Sequence, residues 1–232
     1  MLTLVLLPGL DGTGDLFDPL VEAFHGQVKV QVVRYPRDVA LGYEELQDFV
    51  RKLLPVNEPY VLLGESFSGP IAIALAAESP PSLKGLVLCC TFARNPRPSL
   101  SGASALLPLV PFRSMPSVAL SQMLLGRFSS PTLRRAVAGA VGQVSSEVLR
   151  ARVRAVLAVD VSAALARVRM PCIYLRAMQD RLVPKSAAAH IKVLLPSVEV
   201  VQIEAPHCLL QARPKDASVV VSKFMREVGS AL

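Results

Sequence analysis

Short apolar runs alternate along this chain with longer segments of helical periodicity, and this alternation limits the folds that the chain can adopt. The runs predicted as strands are Leu2 to Leu7, Val28 to Val33, Tyr60 to Leu63, Gly85 to Cys90, Pro171 to Ala177 and Val198 to Ile203. The segments predicted as helices lie around residues 15–24, 42–54, 68–78, 185–195 and 215–228. Such alternation predicts an α/β fold with a mostly parallel sheet of about six strands.

One stretch interrupts the alternation. Between Phe92 and Arg169 prolines become frequent, and apolar helical stretches follow around residues 118–128 and 133–144. With 232 residues and 52% hydrophobic content, the chain is long enough for one well-buried domain and too short for two of typical size. We therefore expect a single domain over residues 1–232, with a small helical cap inserted at about 95–165.

The segment from Gly64 to Gly69 has the sequence GESFSG and lies between an apolar run and a stretch of small residues. This pattern predicts a strand, a sharp turn and a helix. Such a turn strains the backbone of its central residue and needs small residues two positions away on either side, which here are Gly64 and Ser68. Ser66 would then project above the sheet as a nucleophile. An ordinary strand-to-helix loop is the alternative.

Only three histidines are available as a general base for Ser66: His25, His190 and His207. His25 ends a predicted helix upstream of the serine, and His190 lies in the middle of another, so both are expected at the surface or in helix packing. His207 follows a predicted strand and a short loop. Ligand sites of open α/β sheets lie at the carboxyl ends of the strands, so His207 is the candidate base.

Asp180 is the candidate carboxylate that orients the imidazole of His207. It comes just after the apolar run 172–178 and before a new predicted helix. The loop after the preceding strand, residues 91–95, contains no acid. The order Ser66, Asp180, His207 is the chain order of one hydrolase architecture and differs from those of chymotrypsin and subtilisin.

Two backbone amides are candidates for an oxyanion hole, which stabilises the negative charge that develops on the attacked carbonyl oxygen. One belongs to Phe67, directly after Ser66. The other belongs to Leu10, in the glycine-rich loop that follows the first predicted strand. The alternative for this loop is a phosphate-binding site, but it lacks the lysine of G-x-x-x-x-G-K-[ST] and does not match G-x-G-x-x-G.

These segments, in this order along essentially the whole chain, resemble the α/β-hydrolase superfamily, and within it the compact bacterial serine esterases and lipase-like hydrolases with a short helical cap. The resemblance implies the α/β-hydrolase fold, a nucleophile at Ser66, a base at His207, an acid at Asp180, and an oxyanion hole formed by the N–H groups of Leu10 and Phe67. It implies no metal and no organic cofactor.

Three features depart from the usual pattern of this superfamily. Pro8 stands where many members carry the histidine of a His-Gly pair, and Ser68 replaces the last glycine of the serine turn. Neither change removes a backbone donor. Because the first predicted strand leads directly into the glycine-rich loop that contains Leu10, we expect the sheet to lack the first two strands of the superfamily.

Charge is distributed unevenly along the chain. The segment from Phe92 to Arg169 holds eleven arginines and two acidic residues, a formal charge of +9, whereas the rest holds 14 basic and 16 acidic residues, a charge of −2. Such a cap favours substrates with phosphate or carboxylate groups; alternatively, the arginines only pack their stems on apolar helices. Nucleic-acid binding is not expected, because aromatic content is 5% and no recognition motif is present.

The sequence predicts a cytoplasmic protein. Its first residues are apolar but carry no positive leader, and no apolar stretch approaches the roughly 20 residues of a membrane span, so no stable membrane insertion is expected. The cysteines Cys89, Cys90, Cys172 and Cys208 have neither metal-ligand spacing nor a disulfide framework.

The predicted function is that of a serine hydrolase which cleaves a small-molecule carboxylic ester or thioester through an acyl-enzyme intermediate. A serine at position 66 disfavours the dehalogenases and epoxide hydrolases of this fold, which use aspartate. Three alternatives remain open: an acyltransferase, a hydrolase of carbon–carbon bonds, and a ligand sensor with little turnover. The sequence does not determine acyl length, leaving group or oligomeric state.

Overall fold

The computed structural model describes residues 2–99 and 117–230 and contains a six-stranded sheet in which neighbouring strands are parallel. The strands are β1 (Thr3–Leu7), β2 (Lys29–Val32), β3 (Tyr60–Glu65), β4 (Leu83–Cys89), β5 (Cys172–Ala177) and β6 (Glu199–Ile203). Their order across the sheet is β2-β1-β3-β4-β5-β6. Each predicted strand is present with its ends shifted by at most two residues, so the predicted fold class is confirmed.

Burial separates the centre of the sheet from its edges. Every residue of β1 and β3 is buried, whereas β2 and β6, at the two edges, keep exposed or half-buried positions. Successive side chains of β1 point to opposite faces: Leu4 and Leu6 belong to one apolar cluster, and Val5 and Leu7 to the other. The central strands are continuous apolar runs because helices cover both faces of the sheet.

The helices form a layer on each face. They are α1 (Asp18–Ala23), α2 (Tyr43–Arg51), α3 (Gly69–Ala77), α4 (Ser117–Leu124), α5 (Pro131–Gly142), α6 (Ser146–Ala158), α7 (Ser162–Leu165), α8 (Lys185–Leu194), α9 (Leu209–Ala212) and α10 (Pro214–Ser230). Helices α1 and α10 pack on the face of Leu4, and α2, α3 and α8 pack on the face of Val5. Within the described ranges, no helix combines the length and the apolar character that crossing a membrane requires.

Helices α4 to α7 connect β4 to β5, in the part of the chain predicted to form a cap. The predicted helix at 118–128 ends at Leu124 and is followed by a 3-10 turn at Gly126–Phe128, while α5 covers most of the predicted 133–144. Helix α6 was not predicted, because arginines at every second position from Arg150 to Arg154 obscure its apolar period. Residues 100–116 of the predicted cap lie outside the described residues.

Candidate active site

Ser66 occupies the sharp turn between β3 and α3 that its flanking residues predict. Its φ angle is +48°, in the left-handed region that side chains other than glycine rarely adopt. The turn is tight: a Cβ on Gly64 would lie 2.9 Å from the Ser68 carbonyl oxygen, and one on Gly69 would lie 1.9 Å from the hydroxyl oxygen of Thr91. Both positions therefore need glycine, because neighbouring atoms leave no room for a Cβ, and Ser66 is left half-buried at the end of the strand.

The structure brings Ser66, His207 and Asp180 together in one hydrogen-bonded row. The Ser66 Oγ lies 2.9 Å from the His207 Nε2, and the His207 Nδ1 lies 2.8 Å from the Asp180 Oδ2. The other oxygen of Asp180 accepts the N–H groups of Leu182 and Val183, each at 2.8 Å. These two bonds hold the carboxylate in place and leave Oδ2 directed at the imidazole.

The row of bonds determines which nitrogen of His207 carries the proton. A carboxylate only accepts hydrogen bonds, so Nδ1 donates to Asp180 and Nε2 is free to accept from the Ser66 hydroxyl. Burial disfavours the charged imidazole, but the charge and hydrogen bond of Asp180, with a smaller contribution from Glu65, outweigh it and raise the pKa of His207 above its usual value. The arrangement therefore suits a base that takes a proton from Ser66.

The two predicted oxyanion donors belong to segments next to Ser66 in the chain or in the sheet. Phe67 follows Ser66 in the turn, and Leu10 lies in the loop after β1, the strand next to β3. Neither N–H donates a hydrogen bond to another described residue. An oxyanion hole requires N–H groups that the protein does not already engage.

Two of the three departures from the superfamily pattern, Pro8 and Ser68, contact each other. The Ser68 hydroxyl donates to the carbonyl oxygen of Pro8, and the Tyr35 hydroxyl lies 2.7 Å from the same Ser68 oxygen. Ser68 is fully buried. The hydroxyl that replaces a glycine therefore ties the serine turn to the loop after β1.

Glu65, the residue before the nucleophile, is a buried carboxyl beside the row. Its Oε1 accepts a hydrogen bond of 3.0 Å from the Gln211 Nε2. Burial raises the pKa of Glu65 to about 7, and Asp11 adds to the rise, while Gln211 and His207 oppose it.

The other two histidines lie away from Ser66. His25 is exposed after the end of α1, and His190, on α8, lies 3.0 Å from the Ser162 hydroxyl of α7. Across residues 2–99 and 117–230, no three His, Cys, Asp or Glu side chains are grouped as metal ligands would be.

Arg152 is the residue that the sequence analysis missed. It belongs to α6, is 1% exposed, and donates to the backbone carbonyls of Leu10, Asp11 and Pro36. One signal was available: Arg152 lies three and four positions after the buried Leu149 and Val148, on the apolar side of its helix. An arginine in such a position is a candidate for a buried polar contact.

The sequence and the fold of the chain are similar to those of known proteins. A family model described as the alpha/beta hydrolase family matches residues 4–219. No curated protein matches the chain at a significant level.

Solved structures resemble the chain over nearly its whole length. A thermophilic esterase from Thermogutta terrifontis has 19% identity and a TM-score of 0.82, with 98% of this chain and 90% of that chain covered. A carboxylesterase structure from Nitrososphaera gargenis has 15% identity and a TM-score of 0.84, with coverage of 100% and 92%. The enol-lactonase from Burkholderia xenovorans LB400 has 17% identity and a TM-score of 0.79, with coverage of 97% and 91%. At such identities these likenesses show a shared fold.

Proposed function

The chain belongs to the alpha/beta hydrolase family, and from this membership we propose that it is a serine hydrolase which cleaves a carboxylic ester or thioester through an acyl-enzyme intermediate. One observation carries the proposal: the row of hydrogen bonds from Ser66 through His207 to Asp180, at 2.9 and 2.8 Å. The structural likeness to an esterase and to a carboxylesterase supports an ester as substrate.

In the proposed reaction, Ser66 attacks the carbonyl carbon of the bound ester. The Ser66 proton moves to the His207 Nε2 as the Oγ–carbon bond forms, and Asp180 stabilises the resulting imidazolium. The carbonyl oxygen becomes an oxyanion that accepts hydrogen bonds from the N–H groups of Leu10 and Phe67. Loss of one such donor typically costs about 10²–10³ in kcat.

Collapse of this intermediate completes acylation. The carbonyl re-forms, the bond to the leaving group breaks, and the proton on the His207 Nε2 passes to the departing alkoxide or thiolate. A water molecule then gives a proton to His207 and attacks the acyl-enzyme, which releases the carboxylic acid and restores the Ser66 hydroxyl. The proposed steps need only side chains, two amides and water.

The proposal also covers the cap, the charge of the substrate and the location of the protein. We assign the segment at about 95–165 to a cap over Ser66 within one domain, and the positive charge of this segment supports small anionic acyl substrates. The described part of this segment contacts the residue after the proposed base, because the N–H of Cys208 donates to the Leu124 carbonyl of α4 at 3.1 Å. The cysteines are free and buried, which supports a reducing, cytoplasmic setting.

The test compares the wild-type chain with Ser66→Ala on p-nitrophenyl esters from acetate to palmitate and on matched thioesters. We expect Ser66→Ala to lower kcat by roughly 10⁴-fold or more. Ser197→Ala, which changes an exposed serine, is the matched control and should behave as wild type. The preferred acyl length and leaving group then define the substrate class.

A fluorophosphonate probe separates the remaining possibilities, because it labels an activated serine whatever the natural substrate is. Labelling at Ser66 without turnover of any ester would favour a specialised acyl donor, an acyltransferase, a carbon–carbon hydrolase or a sensor. A folded protein that is neither labelled nor active would refute the proposal.

A further inference from the structure

The loop after β1, from Pro8 to Thr13, is held by its carbonyl groups, and we call it the oxyanion loop. Each of its six carbonyl oxygens accepts a hydrogen bond. The donors are the Ser68 hydroxyl to Pro8, the Gly12 N–H to Gly9, the Arg152 guanidinium to both Leu10 and Asp11, the Tyr35 N–H to Gly12, and the Arg34 guanidinium to Thr13. Five of these six residues are buried, so their carbonyl groups need protein donors in place of water.

The geometry around Leu10 determines where its N–H points. The Gly9 carbonyl accepts from the Gly12 N–H at 3.0 Å, and because a trans peptide unit is planar, the Leu10 N–H in that unit points the opposite way. The next peptide unit is held through the Leu10 carbonyl, which accepts from the Arg152 Nη1 at 2.9 Å. With both flanking peptide units held, the φ and ψ angles of Leu10 have little freedom.

Arg152 makes several contacts that fit it to this place. Its Nη1 also donates to the Asp11 carbonyl at 2.7 Å, its Nη2 donates to the Pro36 carbonyl at 2.9 Å, and its Cζ lies 5.6 Å from the centre of the Tyr35 ring. A Cβ on Gly12 would lie 2.5 Å from the Arg152 Nη1, so only glycine leaves room for the guanidinium. The planar group thus fills a slot formed by the oxyanion loop and the residues after β2.

The hydrogen-bond partners that offset the burial of Arg152 are carbonyl groups and not carboxylates. Burying a cation is costly unless it is paired, and among the described residues no carboxylate lies within ion-pair distance of Arg152. Burial lowers the pKa of Arg152, while Asp11 and Tyr35 oppose this effect. An apolar side chain would pack at a lower desolvation cost but would leave three carbonyl groups without their donors.

We propose that Arg152 is a positioning residue that holds the Leu10 N–H at the oxyanion hole from the α6 side. This inference rests on the proposed function and deepens it. Because α6 lies in the insertion between β4 and β5, the contact also makes the geometry of the oxyanion hole depend on the seating of that insertion. The Leu10 N–H would contribute most in the transition state, where the oxyanion carries the most charge.

The experiment compares Arg152→Lys and Arg152→Met with wild type, using p-nitrophenyl butyrate as a neutral substrate. Active sites are titrated with a fluorophosphonate, so that kcat is expressed per reactive Ser66 and unfolded protein is not counted. Arg154→Met is the matched control, because Arg154 is an exposed arginine on the same helix. Thermal unfolding of each variant is followed in parallel.

We expect kcat per titrated site to fall by about 10- to 100-fold in Arg152→Met while KM changes by less than about threefold, since the lost contribution belongs to the transition state. Arg152→Lys should keep part of the activity, because an ammonium can bond one carbonyl but cannot span three. A trifluoromethyl ketone, which forms an oxyanion on Ser66, should lose affinity by the same factor as kcat/KM. Arg154→Met should match wild type in every measurement.

Three results would overturn the inference: an unchanged kcat per titrated site, a loss confined to KM, or failure of both Arg152 variants to fold, which would make the residue structural only. Failure of the proposed function has a different signature. If wild-type turnover does not depend on Ser66, both proposals fall, whereas Ser66-dependent turnover with fully active Arg152 variants refutes only this one.

Discussion

Ser66 and His207 are 141 positions apart in the chain, yet the Ser66 Oγ and the His207 Nε2 lie 2.9 Å apart. This geometry requires a φ of +48° at Ser66. Such a backbone conformation costs about 1–3 kcal/mol of stability for a residue other than glycine. Neighbours stabilise the turn: the Thr91 hydroxyl donates to the Ser66 carbonyl, and Tyr43 donates to the Phe67 carbonyl at 3.0 Å. The geometry of the nucleophile therefore depends on contacts that surround it.

Asp180→Asn tests the link between the carboxylate and the base. The asparagine amide that faces Nδ1 favours the tautomer of His207 with the proton on Nε2. A protonated Nε2 cannot accept a hydrogen bond from Ser66, so kcat should fall by a factor on the order of 10³–10⁴. In wild type the pKa of His207 is raised above the usual histidine value of about 6.5. The base is lost when His207 is protonated, so kcat/KM should fall as the pH drops through this raised pKa. Without the carboxylate, this acid limb should move to lower pH.

The measurement is kcat/KM between about pH 5 and pH 9 for wild type and Asp180→Asn. Asp38→Asn, which changes an exposed aspartate, is the control. An acid limb that stays in place in Asp180→Asn would mean that Asp180 does not set the charge of His207.

Glu65→Gln tests the buried carboxyl through stability. The pKa of Glu65 is about 7 in the folded chain, against 4.5 for an unperturbed glutamate. Between these values only the unfolded chain releases the proton, so the free energy of unfolding falls as the pH rises, by up to about 3 kcal/mol, and stays lower above pH 7. Glutamine has no such ionisation, so the variant should be more stable than wild type at about pH 8 and nearly equal to it below about pH 4.5.

Urea unfolding at the two pH values measures this difference. Glu199→Gln, at an exposed position at the start of β6, should show no pH-dependent gain. Equal stability of Glu65→Gln and wild type at both pH values would show that burial does not hold the proton on Glu65.

At the scale of elements, the turn between β3 and α3 requires a glycine at position 69, whereas helix α5 has room for a side chain at Gly139. Gly69 packs against the buried Thr91, and a Cβ there would lie 1.9 Å from its hydroxyl oxygen. Gly69→Ala should therefore destabilise the fold by about 1–3 kcal/mol or more, since the overlap is with the short, buried side chain of Thr91, which has little room to move. In α5, a Cβ on Gly139 meets nothing within 4 Å, so Gly139→Ala should stabilise by about 0.5–1 kcal/mol.

Denaturant unfolding of both variants gives the comparison. The signs should be opposite although the chemical change is the same, because the space at the two positions differs. A neutral Gly69→Ala would show that Thr91 and the turn can move apart without loss.

Elements also differ in how well the sequence predicts them. The six strands were found because each is a short apolar run between polar segments, a local property. Helix α6 was missed because its arginines resemble a solvated face, although Arg152 points into the protein. Only the packing of α6 against the oxyanion loop makes that arginine part of the interior.

At the scale of the whole molecule, the positive charge of the segment 92–169 predicts attraction of anionic substrates. Several of its arginines are engaged locally: Arg127 pairs with Glu204, Arg97 donates to the Leu182 carbonyl at 3.0 Å, and Arg152 is buried. Engaged arginines keep their charge and still contribute to the field around the site. We expect kcat/KM for a p-nitrophenyl ester with a terminal carboxylate to fall by about threefold or more between low salt and about 0.5 M NaCl.

The neutral ester p-nitrophenyl butyrate is the control and should change little over the same range of salt. Equal insensitivity of both esters would mean that the arginines serve packing alone, which is the other interpretation of this composition.

The sequence by itself determined the fold class and a short list of candidate site residues. Alternating apolar runs and helical segments specify a covered parallel sheet, and the spacing from Gly64 to Gly69 specifies a sharp turn, because both depend on neighbours within a few positions. With three histidines in the chain, the candidates for the base were few. Local pattern is enough for such inferences because secondary structure has short periods.

The tertiary structure decided what these residues touch. The contacts of Arg152 with Leu10, of Gln211 with Glu65, and of Ser68 with Pro8 join positions 142, 146 and 60 residues apart. The raised pKa of Glu65 likewise follows from burial by distant segments. No short-range pattern specifies such partners, because hydrogen bonding and desolvation depend on distance in space, and only the packed fold sets those distances.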